Sequence, residues 1–288
     1  MLQFSQTVLD GLVNGSIVAL AALGITLVFA ISRFANVAHG DLMTLGAYVA
    51  LFVNGRFDGS FLVAAIAAII TTIVIGLLLY RLVFRPIEQR SAVALLITSI
   101  GLALILRNAI ALIWGFNIQG YDIPVERPIR FLGLRATPTE LMILAVSLAC
   151  TLLFFFLLRG TRLGKEVRAV SDLPDLARVT GIDARTVIRW VWTWSLGTAA
   201  LAGVLLGAKT ILTPNMGWDL LLAAFAAAIL GGIGNPTGAV LGAFVVSVTQ
   251  ELSTYVMPDN YKQVTAFAIL ILVLLWRPGG LFARKTRA

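Results

Sequence analysis

The charged stretch RGTRLGKEVRAVSDLPDLARVTGIDARTVIR occupies residues 159–189, and it joins an apolar run that ends at Leu158 to a second that begins at Val187. Both runs approach the roughly 20 residues that an α-helix needs to cross the hydrocarbon core of a bilayer. The stretch interleaves cations with carboxylates: Arg159, Arg162, Lys165, Glu166, Arg168, Asp172, Asp175, Arg178, Asp183, Arg185 and Arg189. We expect this segment to lie outside the lipid as a docking surface for a soluble partner.

The composition predicts a membrane protein with several spans. Of the 288 residues, 59% are hydrophobic and only 12% are charged, which is far more apolar surface than one water-soluble core requires. Nine apolar runs are visible: Leu9 to Ile31, Leu42 to Val53, Phe61 to Tyr80, Ala92 to Phe116, Leu141 to Leu158, Val187 to Ala208, Leu220 to Leu230, Ala239 to Thr249 and Val264 to Trp276. We therefore expect an all-α polytopic fold with about 8–10 transmembrane helices, two of them short or interrupted, in which residues 1–288 form a single transmembrane domain.

The distribution of cations predicts the orientation of the chain. The formal net charge is +8, and 14 of the 22 cations lie in three segments: Arg81 to Arg90, the 159–189 loop, and Arg277 with Arg284, Lys285 and Arg287. The positive-inside rule places these segments in the cytoplasm, and this clustering beside membrane spans argues against a nucleic-acid-binding surface. The N-terminus is then expected outside and the C-terminus inside. Met1 to Thr7 carry no Lys or Arg, unlike the start of a cleaved signal peptide.

Two halves of the chain show a weak internal similarity. An alignment of Gly40 with Gly217 also pairs Tyr48 with Phe225, each on a short apolar run after a polar break. The predicted crossings give the two units opposite orientations, which is the pattern of an inverted repeat. Small residues at four-residue spacing, such as Gly11 and Gly15, predict close packing of helix backbones.

Polar residues at membrane depth are the candidates for a substrate path. The segment Asn36-Val-Ala-His39-Gly40-Asp41 lies between two apolar runs, and Asn215, Gly217 and Asn235 lie at later breaks. Polar groups at that depth must be buried in protein or line a watery path. A structural alternative is that Asp41 caps the following helix while Asn36 and His39 hold the chain reversal together.

Several other kinds of chemistry fit the sequence poorly. His39 is the only histidine, and Cys150 is the only cysteine, within an apolar run; we therefore expect no metal site, no cofactor and no intramolecular disulfide. An enzyme that uses His39 and Asp41 as an acid–base pair would lack an accompanying nucleophile. The glycine-rich segments 160–166 and 231–238 lack the residues of a nucleotide-binding loop.

Helix start and stop signals within the charged loop predict a helix of about two turns. Asp172 can cap it, Pro174 falls in its first turn and Gly181 ends it. Leu173, Leu176, Ala177 and Thr180 would share one face. A helix this short is unstable alone, so its apolar face needs a partner, which is either an external protein or the chain's own spans.

Together, several motifs resemble the membrane permease subunit of bacterial branched-chain amino-acid ABC importers. They are Asn36-x-Ala38-His39-Gly40-Asp41 with Gly46-Ala47-Tyr48; Arg168-Ala169-Val170-Ser171 with Leu176-Ala177-Arg178-x-x-Gly181-Ile182; Ala224-Phe225 with Gly231-Gly-Ile-Gly234-Asn235-x-x-Gly238-Ala239; and Arg277-Pro278-x-Gly280-Leu281. The similarity covers nearly the whole chain in order.

This resemblance implies a permease that works in a larger bacterial inner-membrane assembly. Its partners would be a second permease of the same kind or a second copy of this chain, two cytoplasmic ABC ATPases that hydrolyse ATP, and a periplasmic substrate-binding protein. By the same resemblance, Ser171 to Ile182 would be the coupling segment, which sits in a cleft of an ATPase. The residues expected to form or position this contact are Arg168, Ala169, Ser171, Pro174, Leu176, Ala177, Arg178, Gly181 and Ile182.

Two related functions remain open from the sequence. Permeases for urea and short amides resemble the same pattern. An ion-coupled secondary transporter would instead use Asp41, Asp219 or Glu251 to carry a proton or sodium ion.

Overall fold

The computed structural model describes residues 2–56, 60–123, 127–131, 133–277 and 280–281. Within them, the chain forms the helices α1 Leu2–Ser32, α2 Ala38–Arg56, α3 Phe61–Leu79, α4 Ala92–Trp114, α5 Pro138–Gly160, α6 Arg162–Asp172, α7 Pro174–Val179, α8 Ala184–Lys209, α9 Met216–Gly231, α10 Pro236–Leu252 and α11 Lys262–Trp276. Ile129–Phe131 (β1) and Leu134–Ala136 (β2) form a small hairpin.

Each of the nine apolar runs corresponds to a helix, so the all-α membrane fold is confirmed. Five helical segments are long and apolar enough to cross a membrane: Leu2–Ser32, Phe61–Ile87, Ala92–Trp114, Pro138–Gly160 and Ala184–Lys209. The apolar run from Leu42 to Val53 underestimates the length of α2. The helix has 19 residues, because it continues through polar residues at both ends of the run. His39, Asp41 and Asn54 can lie in this helix because each is buried within the protein.

Helices α1–α4 and α8–α11 form two units with matching packing. In the first unit α2 packs on α3 and α4, and in the second α9 packs on α10 and α11. Across the units α3 packs on α8 and α10 packs on α1, while α1 contacts α8 and α2 contacts α9. This exchange of equivalent contacts is what a two-fold relation between the units requires, and it agrees with the expected inverted repeat.

The two units meet at the aligned glycines. A Cβ on Gly40 would lie 2.7 Å from the carbonyl oxygen of Gly217 and 3.2 Å from the Cβ of Leu221. A Cβ on Gly217 would in turn overlap the carbonyl oxygen of Gly40 and the hydroxyl of Thr44. Gly40 therefore contacts Gly217 and the residue four positions after it, Leu221. Gly217 in the same way contacts Gly40 and the residue four positions after it, Thr44. The first turns of α2 and α9 lie backbone against backbone because neither glycine has a side chain.

The small residues of the other spans also serve helix packing, as predicted. Gly11 and Gly15 of α1 lie against Val248 and Phe244 of α10, and Gly203 of α8 lies against the backbone of Met43. In lipid, where apolar surface alone does not drive association, such close approach provides the van der Waals contact that holds helices together.

At the end of the molecule that is expected outside, α1 extends to the β1–β2 hairpin. The Gln6 side chain donates a hydrogen bond to the Arg135 carbonyl at 2.9 Å and accepts one from the Arg135 backbone N–H at 2.9 Å. These two bonds fix β2 against the first turns of α1. The hairpin is absent from the sequence-based expectations, because its strands have three residues each and show too little alternation to be recognised.

Candidate translocation and coupling sites

The charged loop contains two helices rather than one. Thr161 caps α6, since its hydroxyl accepts a hydrogen bond from the Gly164 N–H at 3.3 Å. The expectation that Asp172 caps the short helix is wrong, because Asp172 is the last residue of α6 and Leu173 occupies the N-cap position of α7 without a side-chain bond. The sequence pattern did not indicate α6, because charged residues are frequent between 162 and 172 and no apolar run marks a helix there.

The bounds of α7 otherwise agree with the predicted punctuation. Pro174 is its first residue, and Gly181 adopts a φ of 84°, a left-handed conformation that glycine accommodates without steric cost. The Gly181 N–H donates to the Arg178 carbonyl at 3.1 Å, and the Ile182 N–H donates to the Ala177 carbonyl at 3.0 Å. These two bonds form a Schellman motif, which satisfies the terminal carbonyls of the helix.

The predicted apolar face of α7 is divided between two environments. Ala177 is 3% exposed and packs in a small cluster with Val170 and Val187, with Ile182 at its edge. Leu173 and Leu176 are 59% and 57% exposed, and Val179 is 84% exposed. Thr180 is also exposed, so it does not belong to the buried face. Packing against the chain's own helices therefore accounts for Ala177 and leaves the larger side chains without cover among the described residues.

Hydrogen bonds connect this pair of helices to the ends of two spans. The Ser171 hydroxyl donates to the Ala30 carbonyl of α1 at 2.9 Å, and Arg33 donates to the Ser171 carbonyl at 3.4 Å. Arg168 donates to the Leu158 carbonyl near the end of α5. Ala169 packs at the edge of the same cluster as Ala177. These bonds attach α6, the helix that directly precedes α7, to the ends of α1 and α5.

A cavity of about 1310 Å³ opens beside α7, at the end of the molecule that carries the cationic loops. Six arginines line it: Arg81, Arg85, Arg90, Arg178, Arg185 and Arg189. Burial raises the pKa of the Glu88 carboxyl, which also lines it. A hydrogen bond from the Thr186 hydroxyl holds the pKa of the Asp183 carboxyl below its usual range, and Asp183 caps α8. The wall of this cavity is strongly basic.

The polar residues predicted at membrane depth are buried where α2 begins. Asn36 and His39 are 2% and 1% exposed. The Ser195 hydroxyl lies 3.5 Å from His39 Nδ1 and donates to the Gly24 carbonyl at 2.9 Å. The Asn36 side-chain oxygen and His39 Nε2 have no hydrogen-bond partner within the described residues. Unpaired polar atoms in a protein interior are costly unless water or a ligand satisfies them.

Asp41 forms an ion pair that the sequence did not suggest. Its carboxylate lies 2.9 Å and 3.2 Å from the Arg107 guanidinium, and the guanidinium carbon lies 4.9 Å from the ring centre of Trp218. The alternative in which Asp41 caps the helix is wrong, because α2 begins at Ala38 and the carboxylate turns to α4. Arg107 was overlooked inside the apolar run Ala92 to Phe116, although a single cation in such a run is itself a signal.

The remaining candidates lie at both ends of α9. Gly217 is at the contact with Gly40, so it joins His39 and Asp41 in one region. Asn215 is exposed and occupies the N-cap position of α9 without a side-chain bond. Asn235 lies beyond the other end, where its side chain accepts a hydrogen bond from the Gly238 N–H at 3.3 Å and caps α10. The structure therefore separates Asn235 from the central group.

The C-terminal motif is described only in part. Leu281 donates its N–H to the Leu230 carbonyl at 2.8 Å, which attaches the end of the chain to α9. Pro278 and the three cations Arg284, Lys285 and Arg287 lie outside the described residues.

Comparisons with known proteins identify the family of the chain. A family model described as the permease component of branched-chain amino acid transport systems matches residues 7–274. The high-affinity branched-chain amino acid transport permease LivH of Escherichia coli is 33% identical over 301 residues, which cover 98% of this chain and 96% of LivH. The permease BraD of Pseudomonas aeruginosa is 32% identical over 297 residues, with the same coverage of 98% and 96%.

A solved structure shares the fold. The structure of PsaBC from Streptococcus pneumoniae in complex with Fab superposes with a TM-score of 0.52 at 14% identity, over 96% of this chain and 92% of that one. A family match across most of the chain and relatives that align from end to end lead to one conclusion. The chain is a multi-pass membrane protein that belongs to the family of permease components of branched-chain amino acid transport systems.

Proposed function

We propose that the protein is the membrane-spanning permease subunit of an ATP-driven importer that carries branched-chain or related amino acids across the bacterial inner membrane. The observation that carries the proposal is the end-to-end similarity to LivH and BraD, both of which are named as branched-chain amino acid transport permeases. The N-terminus lies outside and the C-terminus inside, because the cationic loops then face the cytoplasm. A second permease or a second copy, two ATPases and a periplasmic binding protein complete the assembly.

Helix α7 is the contact with an ATPase in this proposal. Leu173, Leu176 and Val179 are exposed together at the end of the molecule that bears the cationic loops. Burial of one such side chain contributes about 1.5–3 kcal/mol, so a partner that covers the three gains a substantial contact from a small helix. The bonds of Ser171 and Arg168 then carry the movement of the ATPase to α1 and α5.

The substrate path runs past the first turns of α2 and α9. Asn36, His39, Gly40, Asp41, Asn215 and Gly217 line it in this proposal, whereas Asn235 caps α10 beyond the far end of α9 and is not part of this group. Asn36 and His39 each present a polar atom without a partner within the described residues, and such atoms can bind water or substrate when the path opens. Transport then requires that the two repeat units rock about the contact between Gly40 and Gly217, in alternation between an outward-open and an inward-open state.

The direct test is transport by the purified assembly. The complex is co-purified from its native membrane, reconstituted in vesicles, and supplied with its periplasmic protein, ATP and radiolabelled L-leucine. We expect uptake that depends on ATP and persists after ion gradients are abolished. Uptake that follows an imposed proton or sodium gradient without ATP would support ion-coupled transport and contradict the proposal.

A further inference from the structure

A second cavity, of about 480 Å³, lies at the end of the molecule that is expected outside. It is bordered by α1, the end of α8, the segment 210–215, the first two turns of α9, and the facing ends of α10 and α11. Its volume falls within the range of about 300–1,000 Å³ that is usual for small-molecule sites. It lies beside the N-terminal turn of α9, the helix that begins at the central contact.

Both signs of charge border this cavity. Glu251 is 9% exposed, and its carboxylate lies 2.9 Å from Lys262 Nζ and accepts a hydrogen bond from Asn14. Lys209 Nζ donates to the same Asn14 side chain at 2.7 Å, and Asp219 borders the cavity from α9. The carboxylates of Asp219 and Glu251 and the Lys262 ammonium thus border one partly buried space, and the Lys209 ammonium reaches it only through Asn14. A lining that presents both signs of charge offers a partner to each end of a ligand that itself carries both signs.

The charged groups retain capacity for a ligand. The Lys262 ammonium has three donors, and the described contacts use two of them, to Glu251 and to Asp259 at 3.5 Å. The Glu251 carboxylate has about four acceptor positions and accepts from Asn14 and Lys262. The N-terminal turn of α9 adds a positive dipole on the same side as Lys262.

A buried hydroxyl and an apolar wall complete the cavity. Ser247 borders it, is 1% exposed, and its hydroxyl has no hydrogen-bond partner in the part of the chain that the structure describes. Ile17, Val18, Leu206 and Leu220 form the apolar side. A buried hydroxyl without a partner costs free energy unless a ligand or water supplies one.

We propose that this cavity binds a zwitterionic aliphatic amino acid on its way into the permease. Glu251 faces the ammonium group, Lys262 faces the carboxylate, Ser247 donates to the ligand, and the apolar wall receives the side chain. This inference rests on the proposed transport of amino acids and adds a site within this chain, at the entrance to the path between α2 and α9.

Protection of an engineered cysteine tests binding directly. Because Cys150 is the only cysteine, Cys150→Ala gives a background for single labelling sites. Thr210→Cys places a thiol at the exposed edge of the cavity, and Gln3→Cys places one on an exposed turn of α1 outside it. The assembly is labelled with a membrane-impermeant maleimide in the absence of its binding protein. L-leucine, 4-methylpentanoate, which lacks the amine, and leucinamide, which lacks the carboxylate, are then titrated.

We expect L-leucine to slow labelling at position 210 and to leave labelling at position 3 unchanged. The two analogues should protect position 210 far less, because each lacks one of the two charged groups that Glu251 and Lys262 are proposed to contact. An absence of protection by L-leucine, or equal protection by all three compounds, would overturn the inference. If the wild-type assembly does not transport leucine with ATP, the proposed function itself fails, so the two failures are distinguishable.

A matched pair of charge variants provides a second test. Glu251 and Asp259 both pair with Lys262, but only Glu251 borders the cavity. Glu251→Gln should raise the KM for leucine uptake about tenfold, the loss expected from one charge-assisted hydrogen bond. Asp259→Asn should leave the KM essentially unchanged. Equal KM values for the two variants would contradict the assignment of Glu251.

A smaller substitution, Ser247→Ala, tests the cavity independently in case Glu251→Gln does not fold. Ser247 and Ser147 are both 1% exposed and both have a hydroxyl without a partner within the described residues, but only Ser247 borders the cavity. Ser247→Ala should weaken protection at position 210, whereas Ser147→Ala should not. The same response from both variants would show that the hydroxyl of Ser247 does not contact the ligand.

Discussion

At the scale of single residues, the ion pair between Asp41 and Arg107 has the largest energetic consequence. The Asp41 side chain is fully buried and that of Arg107 is 19% exposed, so both charges have left most of their hydration. Transfer of an ion out of water costs several kcal/mol, and a well-aligned guanidinium and the face of Trp218 compensate for it. The pair joins α2 to α4 beside the first turn of α9.

Removal of Arg107 should therefore destabilise the protein strongly. Arg107→Ala leaves the Asp41 carboxylate buried without its partner, and we expect the free energy of unfolding in detergent to fall by about 3–5 kcal/mol. Asp41→Asn in the same background should recover part of this loss. The control is Arg178→Ala, which removes a pair with Asp175 at 3.9 Å between exposed side chains and should cost less than about 1 kcal/mol. Similar losses for the two arginines, measured by denaturant titration, would refute the role assigned to burial.

At the scale of elements, α7 has well-defined ends but an apolar surface that the described residues leave partly exposed. Pro174 and the Schellman motif at Gly181 fix where it begins and ends, while its six residues are too few for stability in isolation. Ala177 attaches it to Val170 and Val187. Its larger apolar side chains remain exposed, which is the arrangement expected of a helix that a partner completes.

A charge on that face should disrupt the proposed contact between α7 and the ATPase. Leu176→Glu places a carboxylate on the proposed ATPase contact, and we expect loss of leucine uptake and of substrate-stimulated ATP hydrolysis, with normal amounts of protein in the membrane. Val256→Glu is the control, because Val256 is 83% exposed but lies after α10, at the end expected outside. Stimulated hydrolysis at the wild-type level in the Leu176 variant would contradict the coupling role of α7.

At the scale of the whole molecule, the two repeat units meet through several pairs of helices, and one of these contacts, between α2 and α9, is made by backbone against backbone. The first turns of α2 and α9 approach closely because residues 40 and 217 lack side chains, and the Gly217 N–H donates to the Thr44 hydroxyl at 3.1 Å. A backbone contact of this kind cannot relax by a change of rotamer. It is therefore suited to serve as the pivot of the motion proposed for transport.

A methyl group at this contact should act on both stability and transport. Gly217→Ala forces the new Cβ against the Gly40 carbonyl, and we expect a loss of about 1–3 kcal/mol together with slower uptake. Gly101→Ala on α4 is the matched control, since a Cβ there meets no atom within 4 Å, and it should be neutral or stabilise by up to about 1 kcal/mol. Thermal unfolding and initial uptake rates measure both effects. Equal behaviour of the two variants would exclude a special role for the contact.

Local sequence patterns predicted most of the helices of the fold. Apolar runs located every predicted span, since the length of a membrane helix is set by the bilayer itself, and proline and glycine located the ends of α7. The alignment of Gly40 with Gly217 also identified the two residues that meet at the centre. Local patterns failed for α6 and for the hairpin of β1 and β2, where the periodicity is masked by charge or the element is too short.

What the sequence by itself determined is the membrane class, the order of the membrane helices and the bounds of α7 at Pro174 and Gly181, because these follow from interactions between residues near each other in the chain. Only the tertiary structure decided that Asp41 pairs with Arg107, 66 positions away, that Ala177 is buried while Leu176 is exposed, and that Glu251, Lys262 and Ser247 surround one cavity. The reason is that the partner of a buried polar group depends on how helices distant in sequence pack, and hydropathy contains no record of that packing.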